Sequence, residues 1–293
     1  MDSQPARRSF QTLDGLRGVG AFLVVMRHVP ALFGPLRVPE SFLAVDLFYL
    51  VSGFVVAHAY GERLARGGFF VGFVKTRIIR LYPLYLIGLL VGVMTAVASV
   101  LSDPDSFWTP TKVVECVATG LLMIPRFPGL SINGTTLNGP IWTLLYELIA
   151  NFVYAAAIRL LKTWVLVAIV VVCAAGVAFA EFHYGTLDVG YNLTDQWAAL
   201  ARVGFSFFAG VLIYRLVGNH EHRSTLAAWA CVAVLGVALA IHVPDDFIPF
   251  YEIGMVLVGL PVLAIAAAHF EPDPLSGRLF SFVGLISYGV YIV

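Results

Sequence analysis

Apolar stretches of membrane-crossing length recur along the chain, at 16–34, 41–60, 81–101, 141–158, 163–180, 197–214, 225–242, 250–269 and 279–293. About 20 apolar residues of helix cross the hydrocarbon of a bilayer, and backbone in lipid must satisfy its hydrogen bonds within its own segment. The pattern therefore predicts nine spanning helices. A further run, 113–124, is bounded by Lys112, Glu115 and Pro125 and is too short to cross. The chain stops at Val293 inside an apolar run, so at least one more helix is expected beyond it. The expected fold is an all-α polytopic transmembrane bundle of about ten helices, one integral-membrane domain over 1–293, with its C-terminal end missing.

The charges between the runs set an orientation, because cytoplasmic loops are enriched in Lys and Arg. If 113–124 does not cross, Arg7, Arg8, Arg63, Arg66, Lys75, Arg77, Arg80, Arg159, Lys162, Arg215, Arg223 and Arg278 share one side. Arg37, Lys112 and Arg126 fall on the other, with the acidic loops around Asp188, Asp195 and Asp245. If it crosses, this sorting is lost. The expectation is a non-spanning 113–124 and a cytoplasmic N-terminus in a bacterial cytoplasmic (inner) membrane.

Composition supports lipid as the solvent. Hydrophobic residues make up 59% and charged residues 12%, and mean hydropathy is +0.87. Charged residues are about 25% of an ordinary soluble domain. Lys and Arg balance Asp and Glu at 18 each, which gives no reason to expect nucleic acid. Cys116, Cys173 and Cys231 lie too far apart for a metal-ligand spacing or a disulfide framework, and no metal is expected. The first run holds Arg17, Arg27 and His28 and has no small-residue cleavage site, so it is not a signal peptide.

Ionisable residues inside a membrane are costly and therefore informative. Asp14, Arg17, Arg27 and His28 lie in the first run; Arg17 and His28, eleven residues apart, share a helical face. They read either as a buried ion pair with a hydrogen-bonding histidine, or as chemistry. Asp46 stands two turns from Gly53 on one face of the second run. That glycine reads as a close-packing contact more readily than as a ligand gap. Arg77 and Arg80 project together from the third, either as membrane anchors or as a clamp for phosphate. Thr143, Glu147, Asn151 and Tyr154 form a polar stripe on the fourth. With a rise of about 1.5 Å per residue, His28 and Ser52 fall near mid-membrane and Asp46 and Glu147 somewhat above them, with Arg77 and Arg80 at the basic surface. They could therefore converge on a chamber fed by an anionic donor.

Five segments together resemble the membrane-bound acyltransferase family 3, O-acyltransferases of polysaccharides, peptidoglycan, Nod factors and macrolides. Arg17 and His28 resemble its opening Arg-x10-His signature; Asp46 to Phe48, running into Ser52-Gly53-Phe54, resembles its Asp-x-Phe-Phe-x-x-Ser-Gly-Phe segment. Arg77 to Pro83 resembles its Arg-x-x-Arg-hydrophobic-x-Pro loop, Trp142 to Glu147 its Trp-Ser-Leu-x-x-Glu, and Ser287 to Tyr291 its late Ser-Tyr-x-x-Tyr helix. Thr143 stands in place of Ser, Tyr49 in place of the second Phe, and Arg27 where the family usually has an aromatic or apolar residue.

The resemblance implies transfer of an acyl group, acetyl by default, from acyl-coenzyme A as co-substrate to a hydroxyl of a glycan or other small acceptor. No bound cofactor is implied. His28 would be the general base and Arg17 the charge stabiliser, with Glu147 and Asp46 beside them. Arg77 and Arg80 would meet the coenzyme A phosphates, with Ser52 near the donor as a candidate for a covalent acyl-enzyme. Imidazole titrates near neutral pH and suits removal of a hydroxyl proton. Two other classes compete. A transporter or flippase also places charges inside a bundle, but usually shows paired broken helices in repeated halves, and no internal repeat is visible. A scaffold held by structural ion pairs would leave His28 without a purpose.

Overall fold

The computed structural model describes residues 8–103, 105–124, 137–192, 194–217 and 221–292. Arg7, Pro125, Arg126 and Val293, used above, lie outside the described residues. The chain is 81% helical. The helices are α1 (Gln11–His28), the single turn α2 (Pro30–Phe33), α3 (Ala44–Arg66), α4 (Phe70–Ser102), α5 (Pro110–Leu121) and α6 (Ile141–Ala157). They continue with α7 (Thr163–Tyr184), α8 (Gln196–Val217), α9 (Thr225–Ala240), α10 (Ile248–Gly254), α11 (Leu260–His269) and α12 (Pro274–Ile292). A π-helical turn, Met255–Gly259, joins α10 to α11 into one rod. Among the described residues the strands are one parallel pair of two residues each, β1 (His222–Arg223) and β2 (Phe270–Glu271).

Among the described residues, six helical rods are long and apolar enough to cross a membrane: Pro39–Arg66, Phe70–Ser102, Thr163–Tyr184, Gln196–Val217, Asp245–His269 and Pro274–Ile292. Shorter apolar helices fill 141–157 and 225–240. This is an all-α helical membrane bundle. Each apolar run is helical, but charge and length set α1, α6 and α9 below that criterion. α5 has 12 residues, about 18 Å of helix, well short of a bilayer core. Its last carbonyls, Gly120 and Leu121, accept the hydroxyls of Tyr85 (2.7 Å) and Tyr82 (2.6 Å) on α4.

Two tight helix pairs organise the bundle. α1 packs along α12, with Gln11 against Gly277, Gly15 against Phe280 and Gly18 against Val283, so the two run parallel. Seven alternating helical segments between them, α3, α4, α6, α7, α8, α9 and the α10–α11 rod, fit that parallel arrangement among the described residues; an eighth, through α5, would reverse it. α3 packs along α8, again parallel, where Gly53 lies against the Phe207 carbonyl and Gly210 against the Leu50 carbonyl. A Cβ at Gly53 would stand 2.0 Å from that oxygen. Gly53 is therefore a close-packing contact, as small residues commonly are between membrane helices.

The basic residues gather at the end where α1 begins. Arg159 reaches the carbonyls of Ala65 and Arg66 (3.4 and 3.5 Å), Arg215 that of Leu161 (2.7 Å), and Arg8 pairs with Glu221 (3.7 Å) and Glu271 (3.7 Å). The opposite end carries the Arg27–Asp188 pair and the Asp245–Phe247 turn.

Candidate active site

A cavity of about 370 Å³ opens between α1, α3, α4, α6 and α12. Helix directions give it two ends. Toward the basic end its wall carries Asp14, Arg17, Arg77, Arg80 and Glu147, and toward the other it is aromatic, with Phe48, Tyr49, Tyr288 and Tyr291. Three guanidiniums face two carboxylates, so the polar end has a formal excess of one positive charge.

The polar residues are held by each other. Ser52 of α3 donates its hydroxyl hydrogen to Glu147 Oε1 of α6 (2.6 Å). Nη2 of Arg77, on α4, lies 2.9 Å from the same oxygen and 3.3 Å from Ser52 Oγ. Three helices thus share one hydrogen-bonded node, and Arg77, 3% exposed, is no surface anchor. Its Nε is buried, with no hydrogen-bond partner among the described residues. Arg80 is exposed on the same wall. Arg17 stands 3.6 Å from Asp14, one turn earlier on α1.

The aromatic end is pinned through Thr143. Its Oγ1 lies 2.9 Å from Tyr291 Oη and 2.7 Å from the Pro140 carbonyl, while Tyr49 Oη donates to its carbonyl (3.3 Å). Phe48 meets the Tyr291 ring edge-on at 5.4 Å and packs against Gly20 of α1. Tyr288 donates to the Leu81 carbonyl (2.5 Å). Thr143 and Tyr49, the two departures in these segments, are therefore both structural members of the cavity wall.

The structure brings together Arg17, Ser52, Arg77, Arg80 and Glu147, but His28 and Asp46 do not line this cavity. Depth estimates fix height along a helix and leave the facing direction open. Asp46 is six residues from Ser52, about 240° around α3, and so faces α8. There Arg202 receives it through Nε (3.2 Å) and Nη2 (2.6 Å), with Ser206 Oγ at 3.2 Å. Asp46 and Arg202 are 0% and 2% exposed. His28 does share the face of Arg17, but eleven residues on, about 16 Å away. It is the last residue of α1, exposed at the end of the bundle opposite the basic one, not at mid-depth. Its Nδ1 donates to the Val24 carbonyl (2.8 Å), which leaves the imidazole lone pair on Nε2.

Arg202 was not singled out from the sequence. The signal was present, since an arginine midway along an apolar run requires a buried partner and Asp46 was an unmatched carboxylate. Among the described residues no group of three His, Cys, Asp or Glu side chains is arranged to hold a metal ion.

Residues 10–293 match the family model described as an acyltransferase domain. A Rhizobium radiobacter protein described as protein 2 in the picA locus is 41% identical to the chain over 196 residues, 62% of this chain and the whole of that protein. No solved structure matches.

Proposed function

The chain belongs to the membrane-bound acyltransferase family 3, and on that footing we propose that it moves an acyl group, acetyl by default, from acyl-coenzyme A to a hydroxyl of a carbohydrate or other small acceptor. One observation carries the donor assignment: the cationic end of the cavity, lined by Arg77, the half-buried Arg17 and the exposed Arg80. Guanidinium groups suit phosphate oxygens, and a cavity of this volume admits a slender chain. The nucleotide would stay at the basic end, which we assign to the cytoplasm of a bacterial inner membrane because basic residues collect there. Glu147 and Ser52 orient Arg77.

The pantetheine arm reaches on the order of 15–20 Å when extended, comparable to the rise from Arg17 to His28. It would carry the thioester along the aromatic wall toward the end of α1. His28 would act there, its Nε2 taking the proton as the acceptor oxygen bonds to the acyl carbon and the carbon–sulfur bond breaks. Arg17, expected from the sequence as the charge stabiliser beside His28, stands a membrane half-thickness away. In this reading its charge serves the donor. Asp46 braces α3 against α8.

The test is thioester consumption by purified protein. Acetyl-coenzyme A and an extract of host envelope polysaccharides and small metabolites should give free coenzyme A and a new ester by mass spectrometry, absent from cells lacking the gene. Protein that consumes no thioester but moves solute across vesicles would be a transporter instead. In sealed oriented vesicles, product should form with donor on the basic side and acceptor on the other.

A further inference from the structure

Arg27 is the residue by which this chain departs from its family next to His28, and the donor cavity makes no use of it. Its Nη2 lies 2.6 Å from Asp188 Oδ2 in the α7–α8 loop. Its other amino nitrogen donates to the Pro39 carbonyl, and the guanidinium sits over the Phe42 ring, 5.2 Å from its centroid. In the last turn of α1, Arg27 thus carries the side-chain bonds that reach other elements. Among the described residues the His28 ring hydrogen-bonds within α1, to the Val24 carbonyl.

Asp188 is itself firmly held. Arg202 Nη1 donates to the carbonyls on either side of it, Leu187 (2.6 Å) and Val189 (2.9 Å). The Asp188 N–H donates to Thr186 Oγ1 (3.0 Å), and the Leu187 N–H to Glu252 Oε2 (2.5 Å). Arg202 in turn grips Asp46. An unbroken series of bonds therefore runs from the α3–α8 pair through the loop to the end of α1. Arg27 and Asp188 are 33% and 39% exposed, and ion pairs so open to solvent add little to stability. What this one can fix is position.

We propose that the Arg27–Asp188 pair is a clamp that places His28, with Arg27 a positioning residue acting through the backbone of the last turn of α1. The inference rests on the reading of His28 as general base. Small displacements of a catalytic group lower the rate without loosening substrate bound elsewhere, and the donor's cationic site is far from the clamp.

The test uses the full chain in detergent, with acetyl-coenzyme A and the host extract. Arg27→Ala and Asp188→Asn should each lower kcat by about ten- to a hundredfold, with the KM for acetyl-coenzyme A and the melting temperature unchanged. Arg27→Lys, which can still pair with Asp188, should recover most of the rate. On a His28→Ala background Arg27→Ala should cost nothing more. Wild-type kcat in Arg27→Ala, an equal loss on the His28→Ala background, or an effect on KM alone would overturn the clamp while leaving the acyltransferase reading intact. A wild-type chain that consumes no thioester overturns both.

Discussion

Arg202 of α8 donates to Asp46 of α3 through two nitrogens, and both side chains are shut away between helices whose backbones touch at Gly53 and Gly210. One of the two carboxylates expected beside His28 and Arg17 is thus the partner of a buried arginine. That arginine's remaining hydrogen bonds hold the α7–α8 loop in place.

Breaking this pair from one side should be costly. Asp46→Ala or Arg202→Met leaves an uncompensated charge in a dry place, and such changes typically cost about 3–5 kcal/mol. The double variant should lose much less than the sum. Thermal unfolding in detergent of the four proteins checks it, and additive losses would show that the two charges do not compensate each other.

His28→Ala should lower turnover by about 10²–10⁴-fold with the melting temperature unchanged. The side chain is exposed and, among the described residues, hydrogen-bonds within its own helix, so the fold has little to lose. Near wild-type turnover in a folded variant would remove His28 from the chemistry.

Arg80→Ala should raise the KM for acyl-coenzyme A by about tenfold and leave kcat near wild type. A hydrogen bond to a charged group contributes about 1.5–3 kcal/mol, and uniform binding acts on KM alone. Because Arg80 is exposed, stability should hold. Steady-state kinetics would sink the donor assignment if kcat fell with KM unchanged.

Gly53→Ala should destabilise the bundle by about 1–3 kcal/mol or more, as overpacking does. The added methyl meets the backbone carbonyl of Phe207, which cannot swing aside as a side chain would. A melting temperature equal to wild type would mean that α3 and α8 separate freely.

Glu271, between α11 and α12, is 4% exposed; burial pushes its carboxyl up to about 7 against the pull of Arg8. A carboxyl raised on folding favours the folded state when protonated. Its contribution is therefore complete below 4.5, its ordinary value, and is lost as pH rises through about 7. Glu271→Gln should flatten that part of the stability profile, measured by melting across the interval. Parallel curves for the two proteins would mean that Glu271 does not titrate in it.

Much of the architecture was legible in the order of residues. Lipid forces each apolar run into a helix, so run lengths alone placed the helices, although six rather than nine are long and apolar enough to cross among the described residues, and the 12 residues of α5 were too few whatever their surroundings. The Arg77–Arg80 and Trp142–Glu147 segments identified the family without any contact being known. Facing direction was not legible. Asp46 and Ser52 lie six residues apart on one helix, yet one turns to α8 and the other to the cavity.

The sequence by itself determined that charges inside apolar helices need partners, because an ionisable group in an apolar helix has to find one. Only the tertiary structure decided the partners: Arg202 for Asp46, Arg77 and Ser52 for Glu147, Asp188 for Arg27. These residues lie from 70 to 161 positions apart, apart from Ser52 and Arg77 at 25. Helix periodicity relates residues only within one helix. Which helices stand side by side follows from where backbones can approach, at Gly53, Gly210, Gly15 and Gly18, and that is a property of the packed bundle.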